Sequence, residues 1–315
     1  MAAHSSRKAV YAALIGNSLI AVTKFGAATF TGSSAMLSEA IHSVVDTCNQ
    51  GFLLYGLKRA EKPADRTHPY GYGMELYFWS FVVAVLIFGV GAGVSLYEGI
   101  HKLSDPQPVT SPIVNYIVLG VAFVFEAGAW WVAFKLFRQS KGSRGYFQAL
   151  RESKDPALFT VLFEDTAAML GLVVAFVGIM VSDILAIPSA DAMASIVIGL
   201  ILAGTAGILI YESKSLLIGE GARPRVIEGI EEIISRKTGI KKINEILTMH
   251  MGPQDILLTL SLDFHDSLGS VQVESAISEM ETAIKAAFPE VKRVFIEAQN
   301  WRAHLKSQEG NKETE

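Results

Sequence analysis

Six apolar stretches of the chain are each long enough to cross a lipid bilayer as a helix. They cover roughly residues 9–30, 34–57, 77–100, 113–137, 157–182 and 190–212. Lipid offers the backbone no hydrogen-bond partner, so such a stretch must satisfy its own peptide groups, as a helix does. Turn sequences separate several stretches, among them TGSS near Gly32 and AIPSAD near Pro188. The sequence therefore predicts an α-helical membrane domain of six transmembrane helices.

Composition agrees with a membrane domain joined to a water-soluble part. Half of the residues are hydrophobic and the mean hydropathy is +0.36, which is too apolar for an ordinary soluble protein and too polar for a chain that is all membrane. The net charge of −4 gives no reason to expect a nucleic-acid partner. Cys48 is the only cysteine, which excludes an internal disulfide and a cysteine-based zinc finger. Any metal site must therefore use His, Asp and Glu.

The distribution of basic residues predicts the orientation in the membrane. Lys and Arg precede the first stretch and follow the second and the fourth, whereas the other three connections carry only Lys102. By the positive-inside rule, both termini are cytoplasmic. The N-terminus shows no cleavage site after a short apolar core, so we expect the first stretch to be retained as a span. The basic residues are Arg7, Lys8, Lys58, Arg59, Lys62, Arg66, Lys135, Arg138, Lys141, Arg144, Arg151 and Lys154. We expect a multi-pass protein of a bacterial inner membrane or an organelle equivalent.

The pattern changes after residue 218. Apolar residues at helical spacing begin at Val226, and the segment DILLTLSLDFH alternates from Ile256 to Phe264 as a half-buried strand does. The order helix-strand-strand-helix-strand predicts a small cytoplasmic α+β domain, ferredoxin-like or metallochaperone-like, with an antiparallel sheet backed by helices. We thus divide the chain into a membrane domain (1–218), an α+β dimerisation or regulatory domain (219–302) and a disordered tail (303–315).

Ionisable residues inside the second stretch, in SEAIHSVVDT, point to a metal site. A charged side chain facing lipid costs roughly 2.5–3.5 kcal/mol or more, so Glu39, His42 and Asp46 need a reason to be there. His42 and Asp46 are four residues apart and share one helix face, where both can ligate one divalent ion. Glu39 is one turn earlier and could orient a ligand or relay protons. The structural alternative is a hydrogen bond between helices.

The fifth stretch offers the missing ligands. Glu164 and Asp165 are adjacent and therefore point about 100° apart on a helix, so only one can face His42 squarely, and we expect Asp165 to do so. A bound cation compensates buried carboxylates, and protons can replace it. Lys24 in the first stretch either reaches the interface with its ammonium group or pairs with a buried carboxylate.

A family resemblance rests on four segments of the chain, which are NSLIAVTKFGAATFTGSSAMLSEAIHSVVDT, THPYGYGMEL, YEGIHKLSDPQPV and DAMASIVIGLIL. These segments resemble the cation diffusion facilitator family of proton-coupled efflux transporters for zinc and related divalent metals. The resemblance covers nearly the whole chain and implies a homodimer with a metal site between spans two and five. It places ligands at His42, Asp46 and Asp165, but Val161 stands where the family has a fourth. Glu164 or water would fill that position, or only three protein ligands would remain. An oxygen-richer site shifts the balance towards Mn²⁺, Fe²⁺ or Co²⁺.

The resemblance also implies a second metal site in the loop after span two, at Asp65 and His68. The second histidine of that site is Tyr72 here, so the site is incomplete. The alternative reading of HPYGYG is a structured turn that packs on the third helix.

These features together predict a secondary transporter that exports Zn²⁺, or else Mn²⁺, Fe²⁺ or Co²⁺, from the cytoplasm in exchange for protons. Alternating access would move the ion, and the chain has no phosphate-binding loop that would indicate an ATP-driven pump. We expect no cofactor and no enzymatic activity. The expected partners are the cation, protons, the bilayer and a second copy of the chain. The alternative is a membrane metal sensor or scaffold that binds the ion without moving it.

Overall fold

The computed structural model describes residues 2–106, 108–141, 145 and 156–312. The chain divides into two compact units, Met1–Glu61 with Glu75–Lys214, and Lys62–Met74 with Ser215–Glu315. The first unit is helical. Its elements are α1 (Ala2–Thr31), α2 (Ser34–Ala60), α3 (Glu75–Leu86), a π-helical segment (Ile87–Ala92), α4 (Gly93–Ser104), α5 (Pro112–Lys141), α6 (Pro156–Ile184) and α7 (Ser189–Leu217).

Four described helices are long and apolar enough to cross a membrane. They are Glu75–Ser104, which joins α3, the π-helical segment and α4, and then Pro112–Gln139, Pro156–Ile184 and Ser189–Leu217. These helices coincide with predicted spans three to six. The first two predicted spans fall in α1 and α2, which are 30 and 27 residues long. Within the described residues, α1 and α2 do not reach the same apolar character. Arg144, Arg151 and Lys154, which contribute to the predicted orientation, lie outside the described residues.

The turn between α1 and α2 is fixed by local capping and by α7. Gly32 has a φ of +69°, and its N–H donates to the Ala28 carbonyl at 2.9 Å, which closes α1. The Ser33 hydroxyl accepts a hydrogen bond from the Met36 N–H and caps α2. The buried Asp191 carboxylate of α7 accepts from the Ser34 N–H at 2.7 Å. The start of α2 is thus held by a side chain from the last helix of the unit.

Small residues let helices of this unit approach closely. A Cβ atom at Gly99 of α4 would lie 2.9 Å from the Ala192 carbonyl oxygen of α7, and one at Gly199 of α7 would lie 2.7 Å from Leu96 Cγ. Both distances are shorter than a van der Waals contact allows. Glycine at these positions is therefore required for the observed packing of α4 against α7, as is typical of membrane helices.

The second unit contains a three-stranded sheet. Its elements are α8 (Pro224–Ser235), β1 (Ile240–Gly252), β2 (Asp255–Phe264), α9 (Ser270–Ala287), β3 (Val291–Ala298) and α10 (Trp301–Lys312). The strand order is β1-β2-β3, with β1 antiparallel and β3 parallel to β2. The predicted element order is confirmed, but the prediction of a purely antiparallel sheet is wrong for β3. The helical crossover α9 returns the chain to the end of the sheet where β2 began, which makes the pair parallel.

One face of the sheet forms the core of this unit. Alternate residues of β2, from Ile256 to Leu262, are buried as the sequence predicts. They pack against Ile230 of α8 and against Met280 and Ile284 of α9. The apolar face of β2, which repeats every 2 residues, thus packs against the apolar faces of the helices, which repeat every 3.6 residues, in a single layer.

The segment Trp301–Lys312 is helical in the structure, where the sequence analysis expected the start of a disordered tail at residue 303. The Trp301 N–H at the start of α10 donates to the buried Asp263 Oδ2 at 3.1 Å. The Lys242 ammonium lies 3.1 Å from the centre of the Trp301 ring, where a cation–π interaction stabilises it. Contacts with the sheet therefore anchor a segment whose polar composition alone indicates disorder.

The loop that follows α2 belongs to the second unit. Gly73 lies so close to the backbone of Met251 that a Cβ atom would overlap the Met251 carbonyl oxygen. The Arg293 guanidinium of β3 donates from Nη2 to the Tyr70 carbonyl at 3.0 Å. The HPYGYG turn is therefore structured, as its glycines and proline indicate, and it contacts β1 and β3 of its own unit. Its packing on the third helix stays a prediction.

Candidate metal centre

His42 and Asp46 lie one turn apart on the buried face of α2. Their spacing predicts this arrangement, and the His42 Nδ1 and Asp46 Oδ1 atoms are 3.4 Å apart. Both side chains are almost completely removed from solvent. The pair can offer one nitrogen and one or two oxygens to a cation.

The acidic pair of α6 meets α2 through Glu164. Asn49 Nδ2 donates to Glu164 Oε1 at 2.8 Å, and the carboxyl groups of Glu164 and Asp46 are within hydrogen-bonding reach of each other. Asp165 is also buried, and its Oδ2 has no hydrogen-bond partner among the described residues. The sequence analysis expected Asp165 to be the residue that faces α2. In the structure, the side chain with described hydrogen bonds to α2 is the longer Glu164.

Buried polar atoms without a hydrogen-bond partner are concentrated between α2 and α6. A buried polar atom left unpaired costs about 1–3 kcal/mol, so several of them together need an explanation. Among the residues that the structure describes, the atoms of this region include Glu39 Oε1, His42 Nδ1, His42 Nε2, Asp46 Oδ1, Asn49 Oδ1 and Asp165 Oδ2. The oxygens and one of the two His42 nitrogens have lone pairs that a cation could take, because the other nitrogen of a neutral imidazole carries a proton.

The Lys24 ammonium is a positively charged group of the protein that lies near this site. Lys24 is fully buried, and its Nζ donates to Glu39 Oε2 at 3.0 Å and to the Ser43 hydroxyl at 2.8 Å. Of the two alternatives that the sequence left open for Lys24, the structure shows pairing with a carboxylate. Glu39 Oε1 lies directly against Gly171 of α6, where any side chain would displace it. Glu39 is therefore wedged between α1 and α6, and its role as a proton relay stays a prediction.

The described residues do not form a closed metal site. No group of three or more His, Cys, Asp or Glu side chains within the described ranges is arranged to hold an ion. Val161 packs against the apolar core and has no ligating atom. The structure instead brings together His42 with Asp46, and Asp46 with Glu164. Asn49 joins this group, although the sequence analysis missed it. Its spacing of three residues from Asp46 and seven from His42 was the available signal.

Asp65 and His68 lie in the loop of the second unit, where Asp65 is occupied by its own turn. Its Oδ1 accepts hydrogen bonds from the N–H groups of His68 (2.7 Å) and Thr67 (2.9 Å), and its Oδ2 accepts from the Tyr72 hydroxyl at 2.8 Å. The His68 N–H, together with the Tyr72 hydroxyl, lowers the pKa of the Asp65 carboxyl below its usual value. His68 Nδ1 is 3.9 Å from Asp65 Oδ1. A metal site at Asp65 and His68 stays a prediction.

Long apolar helices with buried histidine, amide and carboxylate groups are typical of membrane proteins that bind or conduct ions. Residues 10–218 match the family model of the cation efflux transmembrane domain. This match covers more than half of the chain, and the chain belongs to the cation efflux, or cation diffusion facilitator, family.

Several relatives have printed names that refer to metals. The chain is 34% identical over 259 residues to the proton-coupled zinc antiporter SLC30A9, mitochondrial, of Mus musculus, covering 82% of this chain and 46% of that protein. It is 28% identical to metal tolerance protein C4 of Arabidopsis thaliana, covering 84% of this chain and 58% of that protein. It is 23% identical to the manganese efflux system protein MneP of Bacillus subtilis (strain 168), covering 92% and 95%. The chain thus spans about half the length of the SLC30A9 relatives.

Proposed function

We propose that this protein is a secondary transporter that exports divalent metal cations from the cytoplasm in exchange for protons. The observation that carries the proposal is the cluster of buried, unpartnered polar atoms between α2 and α6. Membership of the cation efflux family supports it, as do the antiporter and efflux names of the relatives. We further propose that α1 and α2 complete six spans and that both termini are cytoplasmic.

The chemistry of the site accounts for the exchange of metal and protons. His42 can bind a metal only as neutral imidazole, and Asp46, Glu164 and Asp165 bind it as carboxylates. Metal entry therefore releases protons from these groups, and protons that enter from the other side release the metal. The cation also neutralises carboxylates that are otherwise costly inside the membrane. We further propose that Glu39, one turn before His42 on α2, accepts or passes on a proton during the exchange.

The ligating atoms of the site indicate which ions it can bind. Zn²⁺ is our first candidate because His42 supplies imidazole nitrogen and because relatives that are 33–34% identical carry zinc in their names. The remaining donors are oxygens, which suit Mn²⁺, Fe²⁺ and Co²⁺ as well. We therefore propose a site that accepts several first-row divalent ions.

The C-terminal unit is proposed to hold two copies of the chain together. Leu247 of β1 and Phe295 of β3 remain more than half exposed on the sheet. An apolar sheet surface of this kind can pair with itself about a two-fold axis. We assign residues 219–302 to this domain and residues 1–218 to transport, with Asp65 and His68 as a proposed loop site.

Flux measurements test the transport proposal. Purified protein in proteoliposomes with an imposed pH gradient should move Zn²⁺ or Mn²⁺, read with a fluorescent indicator. Asp46→Ala and Asp165→Ala should lower the rate by about 10–100-fold, because each removes a ligand. Asp183→Ala, at the exposed end of the same α6, is the matched control and should keep the wild-type rate.

Two results would contradict the proposal. Wild-type protein that binds metal without moving it would leave the sensor or scaffold alternative as the better account. Unchanged flux in both Asp46→Ala and Asp165→Ala would mean that ions cross elsewhere.

A further inference from the structure

We propose that Asn49 is a further metal-contacting residue and that, together with Glu164, it replaces the ligand that is missing at Val161. This inference rests on the proposed transport site. It assigns a role to a residue that neither the family pattern nor the spacing of charged residues singles out.

The position of Asn49 on α2 places it on the face of the site. At about 100° per residue, a residue seven positions after His42 returns to within about 20° of the direction of His42. Asp46 lies between the two along the helix. His42, Asp46 and Asn49 thus form one row of polar side chains over two turns of the buried face of α2.

The hydrogen bond of Asn49 sets the orientation of its amide. Nδ2 donates to Glu164 Oε1 at 2.8 Å, whereas Oδ1 is buried and has no partner among the described residues. The reversed amide would place Oδ1 against a carboxylate oxygen, where two acceptors repel each other. The Nδ2 group therefore holds Glu164 against α2, and the buried Oδ1 is left with its lone pairs available.

The chemistry of the amide oxygen explains how this arrangement replaces a ligand. An amide carbonyl is a neutral oxygen donor, of the kind that hard and intermediate divalent ions accept. It adds to the coordination number without a further negative charge, in a site that already contains Asp46 and Glu164. In place of a histidine or aspartate at position 161, the site thus gains one carboxylate and one amide oxygen. Loss of Asn49 should consequently affect Mn²⁺ more than Zn²⁺, which depends more on the His42 nitrogen.

Metal binding to the full chain tests this inference. Isothermal titration calorimetry in detergent with Mn²⁺ or Zn²⁺ gives affinities that do not depend on transport. Asn49→Ala should weaken Mn²⁺ binding by about 10–100-fold and Zn²⁺ binding by less. The matched control is Asn115→Ala on α5, because Asn115 is equally buried but bonds Thr31. It should bind both ions as the wild type does. Equal binding by Asn49→Ala and wild type would overturn the inference.

Two further variants separate ligation from a purely structural role. Asn49→Asp keeps an oxygen ligand but loses the hydrogen bond from Nδ2 to Glu164, so it should keep more Mn²⁺ affinity than Asn49→Ala. A loss as large as that of Asn49→Ala would overturn the inference. Val161→His, added to Asn49→Ala, restores a nitrogen ligand at the family position and should recover Zn²⁺ binding. No recovery in a variant that elutes as folded protein would overturn it as well.

The outcomes also separate this inference from the proposed function. Wild-type protein that binds metal but shows no flux would contradict transport, while the binding data would still decide the role of Asn49. Wild-type flux with Asn49→Ala binding unchanged would contradict the role of Asn49 alone. Wild-type protein that neither binds nor moves metal would contradict both.

Discussion

Lys24 and Glu39 form an ion pair that is fully buried between α1 and α2, with Nζ and Oε2 3.0 Å apart. Such a pair adds little net stability over apolar side chains, yet removal of one partner leaves an uncompensated charge inside the protein. Glu39 lies one turn before His42 on α2, so the pair is next to the candidate metal site. Lys24 compensates Glu39, which lets other carboxylates of the region take part in cation and proton exchange.

A charge-removal experiment at this pair has a defined expectation. Lys24→Met should lower the free energy of unfolding by about 3–5 kcal/mol, because Glu39 then remains charged and unpaired, or must take up a proton. Glu39→Gln added to Lys24→Met should recover much of this loss. Thermal unfolding in detergent measures both, and Lys58→Met at the exposed end of α2 is the control. If the double variant were no more stable than Lys24→Met, the pair would not be energetically coupled.

At the scale of an element, α2 depends on a residue that is distant in sequence. Asp191 is fully buried and accepts hydrogen bonds from the hydroxyls of Ser33 and Ser34 and from the Ser34 N–H. A negative charge at the N-terminus of a helix also interacts favourably with the helix dipole. The Lys102 ammonium lies 3.5 Å from Asp191 Oδ2 and balances the charge. The first turn of α2 is therefore fixed by α7 and α4, and the row of site residues is fixed with it.

Asp191→Ala should loosen this turn. It leaves buried donors of Ser33 and Ser34 unpaired, at a cost of about 1–3 kcal/mol for each. Hydrogen exchange followed by mass spectrometry should show faster exchange in peptides that cover the start of α2, and the melting temperature should fall. Asp183→Ala, where the carboxylate is exposed, should leave the exchange of α2 as in the wild type. Slow exchange retained in Asp191→Ala would show that α2 is capped without α7.

At the scale of the whole molecule, the C-terminal unit is built from two parts of the sequence, the loop Lys62–Met74 and the segment Ser215–Glu315. The loop emerges from α2, the helix of the candidate site, and yet it belongs to the C-terminal unit. Its fold depends on Asp65, whose carboxylate accepts hydrogen bonds from two backbone N–H groups and from Tyr72. These hydrogen bonds are made to the ionised form, so the order of the loop is linked to pH.

The sign of this pH dependence follows from the lowered pKa of Asp65. The contribution of its carboxylate to loop stability is complete above the usual pKa of an aspartate, and it is lost as the pH falls through the lower pKa of the folded loop. Tyr72→Phe removes one stabilising hydrogen bond, so the pKa of Asp65 should rise and the loop should loosen at a higher pH than in the wild type. The midpoint of loop loosening can be measured with an acid-active protease that cuts the loop. The pH range of about 2 to 5 brackets the usual aspartate pKa. Identical midpoints would contradict this account.

The sequence by itself determined those features that depend on residues a few positions apart. The six apolar stretches predict α1, α2, the joined helix from α3 to α4, α5, α6 and α7. The alternation in β2 predicts its buried face, and the four-residue spacing of His42 and Asp46 predicts their shared face. Local periodicity is sufficient for these because a helix or strand imposes its own geometry on neighbouring side chains.

Only the tertiary structure decided which side chains meet across elements. It gave Glu164 of α6 a hydrogen bond from Asn49 of α2, paired Lys24 with Glu39, made β3 parallel to β2 and anchored α10 on the sheet. Each of these depends on the rotation and approach of two elements, which are set by packing along their whole length, as the contact of Gly171 with Glu39 illustrates. The periodicity of one element does not specify how it is rotated against another. The sequence therefore shows that a ligand is missing at Val161, whereas the packing of α2 against α6 shows which side chains are near enough to replace it.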